Sequence, residues 1–524
     1  MSLGGLDADV CHHILRELSE KDLWSILHTC RWLREACMPL LFRTVSHTIH
    51  GTWAFTMHER FLLTSCKPYV QTLILHDNCP DQRTEEEMAR PYSRPLYYTK
   101  DRTVCGAWPG GPVAERLREL PALRSLTIYK KDWVAHGLPW DTLRAVLSVP
   151  HLREFKLRDL YLCPVLQPGD ELNFEALAPL TSFQYRLRRA LEPLASSSSE
   201  MAALYAVLGK LCETLETLDL VSERAPLADL SQLRWPRLRK LVYCGVPWST
   251  LSAPWISLHP GMDHLRSLSL KLDLTPGGIS QMLWPADYAG PFPWPMLEHL
   301  LVSFPDPRDE VYDHLPSSLR ALSLRCYPHL HVQRRPSAYG ANPADDYPDH
   351  PALSSAASIL SILRRCNMLD LDHLEIEYRA DGEEDALLRR IAAMFPRLTS
   401  LKFHRYRSAQ ERQGKVDVSV EHIAEMLAPL SHLYRLKIYL EFAGTPRLQT
   451  SMMGRQMSEV WTYDEGAICA FEGTVRAAVG VLARVLSSSL REAVMYSVSE
   501  DGPYWRVYDI AAGCPYERRD RYTR

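Results

Sequence analysis

A short apolar phrase recurs along most of this chain and limits the folds that the chain can adopt. In each copy an apolar residue is followed by a second one three positions later and by a third two positions after that. The copies, of which the fourth and the last are the weakest, begin at Val70, Leu123, Leu152, Leu180, Leu215, Leu238, Leu265, Leu297, Leu319, Leu371, Leu398, Leu433 and Leu490. Because side chains two positions apart lie on the same face of a strand, the phrase predicts a series of short strands that each bury one face.

The distances between copies predict how these strands are arranged. The tighter steps, such as Leu215 to Leu238 and Leu371 to Leu398, lie in or near the period of about 20–29 residues that is typical of leucine-rich repeats. In such repeats each strand lies parallel to the one before it, and a crossover segment connects the two. The asparagine that usually follows the strand phrase is absent here, so we expect an irregular array.

Amphipathic helical patterns lie between the copies. Met201, Leu204 and Leu208 share one helix face, for example, and Ser197 with Glu200 is typical of a capping box at the start of that helix. Strands and helices together predict an α/β fold for residues 70–510, namely an irregular leucine-rich-repeat solenoid with parallel strands on its concave side and helices on its convex side.

Several stretches rich in proline, glycine and charge interrupt the pattern and predict loop insertions. They lie near residues 78–113, 273–296, 326–352, 405–417 and 444–468. Long loops on a rigid scaffold often carry binding function, and tolerated surface insertion is an equally good interpretation. Residues 511–524 are expected to form a C-terminal tail.

The composition is that of an ordinary globular protein. Apolar residues make up 46% of the chain and charged residues 23%, which excludes wholesale disorder. A formal net charge of -3 offers no electrostatic basis for binding nucleic acid or an anionic membrane surface. The N-terminus lacks a secretory pattern and there is no run of 18 apolar residues, so we expect an intracellular chain, cytoplasmic and/or nuclear.

The residue patterns of common catalytic and metal sites are missing. The 13 cysteines are scattered from Cys11 to Cys514 with no CxxC pair, which favours buried thiols over disulfides or zinc ligands. The glycine pairs at 110–111 and 277–278 lack the rest of a phosphate-binding loop, and no HExxH motif or nucleophile elbow occurs. We therefore expect no catalytic residues, no metal and no cofactor.

Residues 1–45 carry more apolar surface than a unit of this size can bury by itself. Val10, Ile14 and Leu18 lie on one stripe of a first predicted helix. Ser19 with Asp22 predicts the start of a second helix, and a third is expected to end at Pro39. A unit of about 40 residues seldom builds a sufficient core, so the segment predicts a partner that covers it. Residues 46–69 are expected to form a linker helix.

This N-terminal segment resembles the F-box family at thirteen ordered positions. They are Leu6, Asp9, Val10, Ile14, Leu15, Leu18, Asp22, Leu23, Cys30, Arg31, Pro39, Leu41 and Phe42. The family usually has proline where this chain has Asp7 and Glu20. The resemblance implies that these residues and Leu27 dock a Skp-type adaptor, which joins the chain to a cullin and a RING ubiquitin ligase. The remainder of the chain would then select a protein substrate.

The function implied by this resemblance is that of a substrate-recognition subunit of an SCF-type (Skp, cullin, F-box) ubiquitin ligase, without catalysis of its own. One alternative is an F-box or repeat protein that acts as a non-degradative interaction scaffold. Another is a repeat scaffold whose N-terminal helices serve only as a cap. An enzyme on a repeat fold is disfavoured by the missing motifs.

Substrate-binding candidates follow from the alternation along each strand. Residues between the inward leucines face the concave side, so they are exposed to a ligand. The candidates are Lys156, Arg158, Arg325, Glu375, Glu377, Lys402, His404, Arg435, Lys437 and Tyr439. A basic cluster with an aromatic residue beside an acidic one predicts a polar or charged substrate segment, although any solvated strand face also carries charges.

Overall fold

The computed structural model of this chain describes most of its residues, and the statements below refer to these. They are residues 7–51, 53–56, 61–79, 103–130, 136–166, 170–174, 176–187, 197–248, 251, 253–274, 278–326, 353–414, 416–446, 449–453, 458–462, 464–486, 489–499 and 502–518. The chain forms two compact units, Met1–Arg239 and Lys240–Arg524.

The first unit begins with three helices, α1 (Ala8–Arg16), α2 (Glu20–Leu27) and α3 (Arg31–Leu41). The Asp7 carboxylate caps α1 by accepting from the Asp9 amide at 2.9 Å. Ser19 caps α2 by accepting from the Asp22 amide, as predicted. α3 continues past Pro39, because a proline in the last turn removes only one backbone donor. The helices share a small core of Cys11, Leu15, Leu23, Leu27 and Cys37.

The predicted linker helix over residues 46–69 is wrong. Thr44–Ile49 is a strand, β1, whose β-branched side chains favour extended backbone. Only the short helix α4 (Trp53–Thr56) and a 3-10 turn at Lys67–Tyr69 follow it among the described residues of this segment. β1 pairs in parallel with β2 (Thr72–Asp77), so the sheet of this unit starts directly after α3.

The predicted strands of the first unit are confirmed. After β2 come β3 (Ser125–Lys130), β4 (Glu154–Arg158), β5 (Ser182–Arg186) and β6 (Thr217–Val221), each parallel to the strand before it. The second apolar residue of each phrase pairs laterally with the second apolar residue of the phrase on the next strand. Together they form the row Leu73, Leu126, Phe155, Phe183 and Leu218. All five side chains are buried, so the repeated phrase forms one continuous apolar row.

The second unit repeats this arrangement. Its parallel strands are β7 (Lys240–Gly245), β8 (Ser267–Leu272), β9 (His299–Ser303), β10 (Ala321–Arg325), β11 (His373–Arg379), β12 (Ser400–Tyr406) and β13 (Arg435–Leu440). A separate antiparallel hairpin, β14 (Gln449–Met453) with β15 (Ser458–Thr462), follows. β16 (Glu492–Ser499) then resumes the parallel order, and β17 (Gly502–Ala511) and β18 (Cys514–Glu517) are added antiparallel.

Most crossovers between parallel strands contain helices. They are α5 (Gly110–Arg118), α6 (Trp140–Leu147), α7 (Ser197–Leu211), α8 (Leu227–Leu230), α9 (Ala356–Arg365), α10 (Glu384–Met394), α11 (Ala409–Gly414), α12 (Val420–Leu427) and α13 (Glu465–Val485). The predicted apolar faces, such as Leu387, Leu388 and Ile391, are buried. The fold is mixed α/β and compatible with an α/β solenoid.

Several predicted loops contain regular structure. The stretch 405–417 includes the end of β12 and all of α11, and 444–468 includes the β14–β15 hairpin. The expected tail at 511–524 is wrong for residues 511–517, which end β17 and form β18. In 273–296 no helix or strand occurs among the described residues, yet Trp284 and Trp294 are buried there. Most of 78–113 and of 326–352 lies outside the described residues.

Buried polar side chains take the place of the missing asparagine. Glu377 accepts from the Cys326 amide at 2.8 Å, and Glu441 accepts from the Arg407 amide at 2.8 Å. Ser303, on β9, donates to the Leu270 carbonyl and accepts from the Leu272 amide, both on β8. Each satisfies backbone groups where a strand ends, which buried backbone requires. Because the residue type differs from strand to strand, no single sequence signature repeats.

Among the described residues, one helix, α13, is long and apolar enough to cross a membrane by length and composition alone. Its buried residues are Ile468, Phe471, Val475, Ala478, Val479, Leu482 and Ala483. This spacing of three and four residues is typical of the core-facing side of an amphipathic helix.

Glu200 is expected to be costly to remove from the first unit. Predicted as a cap, it is instead buried, where it accepts from the Leu162 amide at 2.9 Å and the Tyr185 hydroxyl and pairs with Arg224 at 3.2 Å. Glu200→Ala leaves a buried guanidinium uncompensated and should lower the free energy of unfolding by about 3–5 kcal/mol, measured by urea denaturation. Glu213→Ala, at an exposed position of the same unit, should change it by less than about 0.5 kcal/mol. Equal effects would contradict this role.

Candidate functional site

The N-terminal helices leave large apolar side chains in water. Val10 and Ile14, one turn apart on α1, are 47% and 45% exposed, and Trp24 and Trp32 are each 41% exposed. These are four of the twelve exposed large apolar side chains in the described part of the chain. These side chains surround a small core and leave an exposed apolar surface on α1–α3.

The predicted adaptor-binding residues divide into three groups. Asp9, Val10, Ile14, Asp22, Cys30 and Arg31 are exposed; Leu18, Pro39, Leu41 and Phe42 are half-buried; and Leu15, Leu23 and Leu27 belong to the core. Leu6 lies outside the described residues. Trp24 and Trp32 were not in the predicted set, although large apolar residues on amphipathic helices could have signalled them. Trp24 packs edge-on against Phe42, with ring centroids 5.7 Å apart.

The positions where the family has proline have a structural use in this chain. Asp7 provides the cap of α1, and Glu20 is the first residue of α2, directly after its cap. A carboxylate in the first turn is favoured by the helix dipole. Both helices are therefore started by capping and charge rather than by a proline.

A second candidate site lies on one side of β10–β13 in the second unit. The lateral register places Ser323, Glu375, Lys402 and Lys437 side by side on consecutive strands. We call these four residues the polar row. Their neighbours along the strands, Leu322, Leu374, Leu401 and Leu436, face the opposite, buried side. The alternation of each strand thus brings together charges that are far apart in sequence.

Glu375 is the centre of the polar row. Its carboxylate accepts from Ser323 Oγ at 2.6 Å and from Arg325 Nη1 at 3.0 Å, and it lies 2.5 Å from Lys402 Nζ. A second pair joins Arg435 to Glu492 at 2.5 Å. Arg325, Lys402, Arg435 and Lys437 thus outnumber the two carboxylates, so this surface carries excess positive charge.

Lys437 has the most perturbed charge of the cluster. Its Nζ lies 4.1 Å from the ring centroid of Trp505 on β17. Burial and the nearby charges of Lys402 and Arg435 lower the pKa of Lys437 to about 8. Glu375 and the indole face act in the opposite direction, because both favour the charged form. A negative charge placed beside the ammonium group would raise this pKa, because it favours the charged form.

The expectation of exposure is not met by Glu377, His404 and Tyr439, which are buried. The reason is that the sheet continues beyond β13, so that Trp505 packs 5.5 Å from His404 and Tyr496 packs 5.0 Å from Tyr439, between ring centroids. The sequence pattern did not predict β17, so the packing of its Trp505 over His404 was not expected. Lys156 and Arg158 belong to the first unit, where they contact Glu154 and Gln184.

A third cluster was not anticipated from the sequence. The donor atoms of Asp77, Cys79, Cys105 and His136 all lie within 4.8 Å of one another, and all four side chains are buried. Lys130 Nζ lies 3.7 Å from Asp77 Oδ2. No local motif marks this set, because its members come from separate segments of the first unit.

Titration of Lys437 can be followed directly. Only the neutral amine reacts with acetic anhydride, so the labelling rate of Lys437 across a pH series, read by peptide mass spectrometry, should be half-maximal at about pH 8. Lys402→Gln should move this midpoint upward because it removes a like charge, and Glu375→Gln should move it downward. A midpoint at the ordinary lysine value of 10.5 in all three proteins would contradict the described environment.

Comparisons with known proteins add no family to this picture. No protein-family model matches the sequence, and no curated protein matches it.

Proposed function

We propose that this chain is an F-box protein that serves as the substrate-recognition subunit of an SCF-type ubiquitin ligase. The observation that carries the proposal is the exposed apolar surface of α1–α3, in which Val10 and Ile14 match the F-box spacing. Full burial of a large apolar side chain is worth about 1.5–3 kcal/mol, and a partner that covers these half-exposed side chains would gain about half of that for each. A Skp-type adaptor would occupy this surface and connect the chain to a cullin and a RING ligase.

The rest of the chain would be an irregular leucine-rich-repeat solenoid that presents the substrate surface. The support is the parallel pairing of consecutive strands and the helices that connect them. In this interpretation the polar row lies on the concave side. β1 follows α3 directly, which would hold the adaptor-binding helices firmly on the repeat body.

The substrate would be recognised through an acidic segment. Around the polar row, the cations Arg325, Lys402, Arg435 and Lys437 outnumber the carboxylates Glu375 and Glu492, so this surface carries net positive charge. Hydrogen bonds from Arg or Lys to a carboxylate are stronger than those between neutral groups. Trp505 adds a flat apolar contact beside Lys437. The activity would take place in the cytoplasm and/or the nucleus, without catalysis by this chain.

The alternative is a scaffold that binds the adaptor or a partner without ubiquitination. Nothing in the two surfaces distinguishes it from a receptor, since both functions need the same contacts. In vitro ubiquitination of captured proteins with the assembled ligase separates them.

Adaptor binding should depend on α1. Val10→Asp with Ile14→Asp puts two charges on the exposed stripe and should weaken binding of a purified Skp-type adaptor at least about a hundredfold, measured by calorimetry. Folding should be preserved because both side chains are exposed. Leu369→Asp, at a position 66% exposed in the second unit, is the matched control and should bind normally. Unchanged binding in the double variant would contradict the F-box assignment.

Substrate binding should depend on the cations of the polar surface. Lys402→Gln, Arg435→Gln and Lys437→Gln together should release the proteins that wild type captures under proteasome inhibition, at least about tenfold by quantitative mass spectrometry. Arg389→Gln, Arg397→Gln and Arg484→Gln make the same charge change at exposed positions of the same unit. If both triple variants capture the same proteins as wild type, this surface does not select the substrate.

A further inference from the structure

The buried cluster of Asp77, Cys79, Cys105 and His136 contains the donor set of a zinc site. Two sulfurs, one imidazole nitrogen and one carboxylate oxygen are ligands that Zn²⁺ accepts in four-coordinate sites. We propose that these four residues bind a divalent transition metal, with Zn²⁺ the ion that fits their chemistry. The proposal is independent of the ligase function.

The geometry is close to what such an ion requires. Zn–S and Zn–N bonds of about 2.3 and 2.0 Å place the ligand atoms of a tetrahedral site about 3.3–3.8 Å apart. The four donor atoms here lie within 4.8 Å of one another. His136 Nε2 is hydrogen-bonded to Asp77 Oδ2, and Cys105 Sγ lies 4.0 Å from the same oxygen. Shifts of about an ångström, within reach of side-chain rotation, would complete the coordination.

The charges balance when the ion is present. Binding releases the protons of the two thiols, so two thiolates, one carboxylate and a neutral imidazole around a divalent ion carry a net charge of about minus one. Lys130, 1% exposed and 3.7 Å from Asp77, supplies the compensating positive charge. The Ala107 amide also donates a hydrogen bond to Cys105 Sγ.

The backbone holds the donors in place without the metal. Asp77 ends β2, and its carboxylate accepts from the Cys79 amide at 2.9 Å. The Cys105 amide donates to the Gly137 carbonyl at 2.8 Å, which ties Cys105 to the residue after His136. A Cβ at Gly137 would lie 2.2 Å from Pro164 Cδ, so only glycine permits this close approach. The site is therefore preorganised on three separate segments.

A buried site with four protein ligands is structural rather than catalytic, because no position remains for water or substrate. Cys79 and Cys105 stand on either side of residues 80–102. The metal would join the two ends of this insertion to Asp77 at the end of β2 and to His136, which follows β3. Metal binding would accordingly stabilise the folded first unit.

The first experiment measures metal in the full-length wild-type protein. Untagged protein reloaded with Zn²⁺ under reducing conditions and desalted should retain the ion by elemental mass spectrometry, and chelation should lower its unfolding temperature. Titration of the apoprotein with Co²⁺ should give the visible absorption of tetrahedral cobalt with thiolate ligands. A buried ion-pair network with inert thiols, or a Cys79–Cys105 disulfide, predicts neither signal.

Variants assign the site. Cys79→Ser and Cys105→Ser should each lose one equivalent of Zn²⁺, whereas Cys163→Ser, another buried thiol of the first unit, should keep it. His136→Cys exchanges one metal ligand for another and should retain Co²⁺ with stronger thiolate-to-metal absorption. A residue that only packs in the core, without binding the metal, would not produce this change. The proposal is overturned if reduced wild type binds neither Zn²⁺ nor Co²⁺, or if Cys79→Ser and Cys105→Ser bind as much as wild type.

Discussion

Every parallel strand of this protein has to satisfy its backbone where it ends, and the way this is done organises the structure. The apolar row of the first unit is built from leucines and phenylalanines in register, and its side chains are buried. At the strand ends the chain turns into a crossover while still buried, so each amide there needs an acceptor. Repeats with an asparagine at this point solve the problem identically each time. Here Glu200, Ser303, Glu377 and Glu441 solve it separately.

This individual solution explains why the array is irregular. A glutamate reaches farther than an asparagine and must be neutralised or hydrogen-bonded when buried. Glu200 accordingly pairs with Arg224 and accepts a hydrogen bond from the Tyr185 hydroxyl, and Glu377 accepts one from the Tyr406 hydroxyl. These strand ends therefore each have their own small hydrogen-bond network instead of a common one.

The two candidate surfaces differ in the physical basis of recognition. The exposed side chains of α1–α3 are apolar and offer area, so a partner would bind them through the hydrophobic effect. The polar row offers charge in a partly desolvated setting, where Lys437 beside Trp505 retains a pKa of about 8. Such a setting favours specific binding of a charged segment over non-specific association. A protein that joins a constant partner to a selected one would need both kinds of surface.

The sequence by itself determined the elements that show a periodic pattern of apolar residues. The spacing of the leucines predicted the parallel strands and most crossover helices, because burial imposes a period of 2 or 3.6 that can be read locally. The apolar excess of residues 6–45 likewise predicted the exposed side chains of α1–α3. Only the tertiary structure decided which residues that are far apart in sequence lie close together. It brought Asp77, Cys79, Cys105 and His136 together, and it covered His404 and Tyr439 with Trp505, since neither follows from local spacing. Pairing with β2 also fixed the strand at Thr44–Ile49, where the sequence had predicted a helix from residue 46 onward.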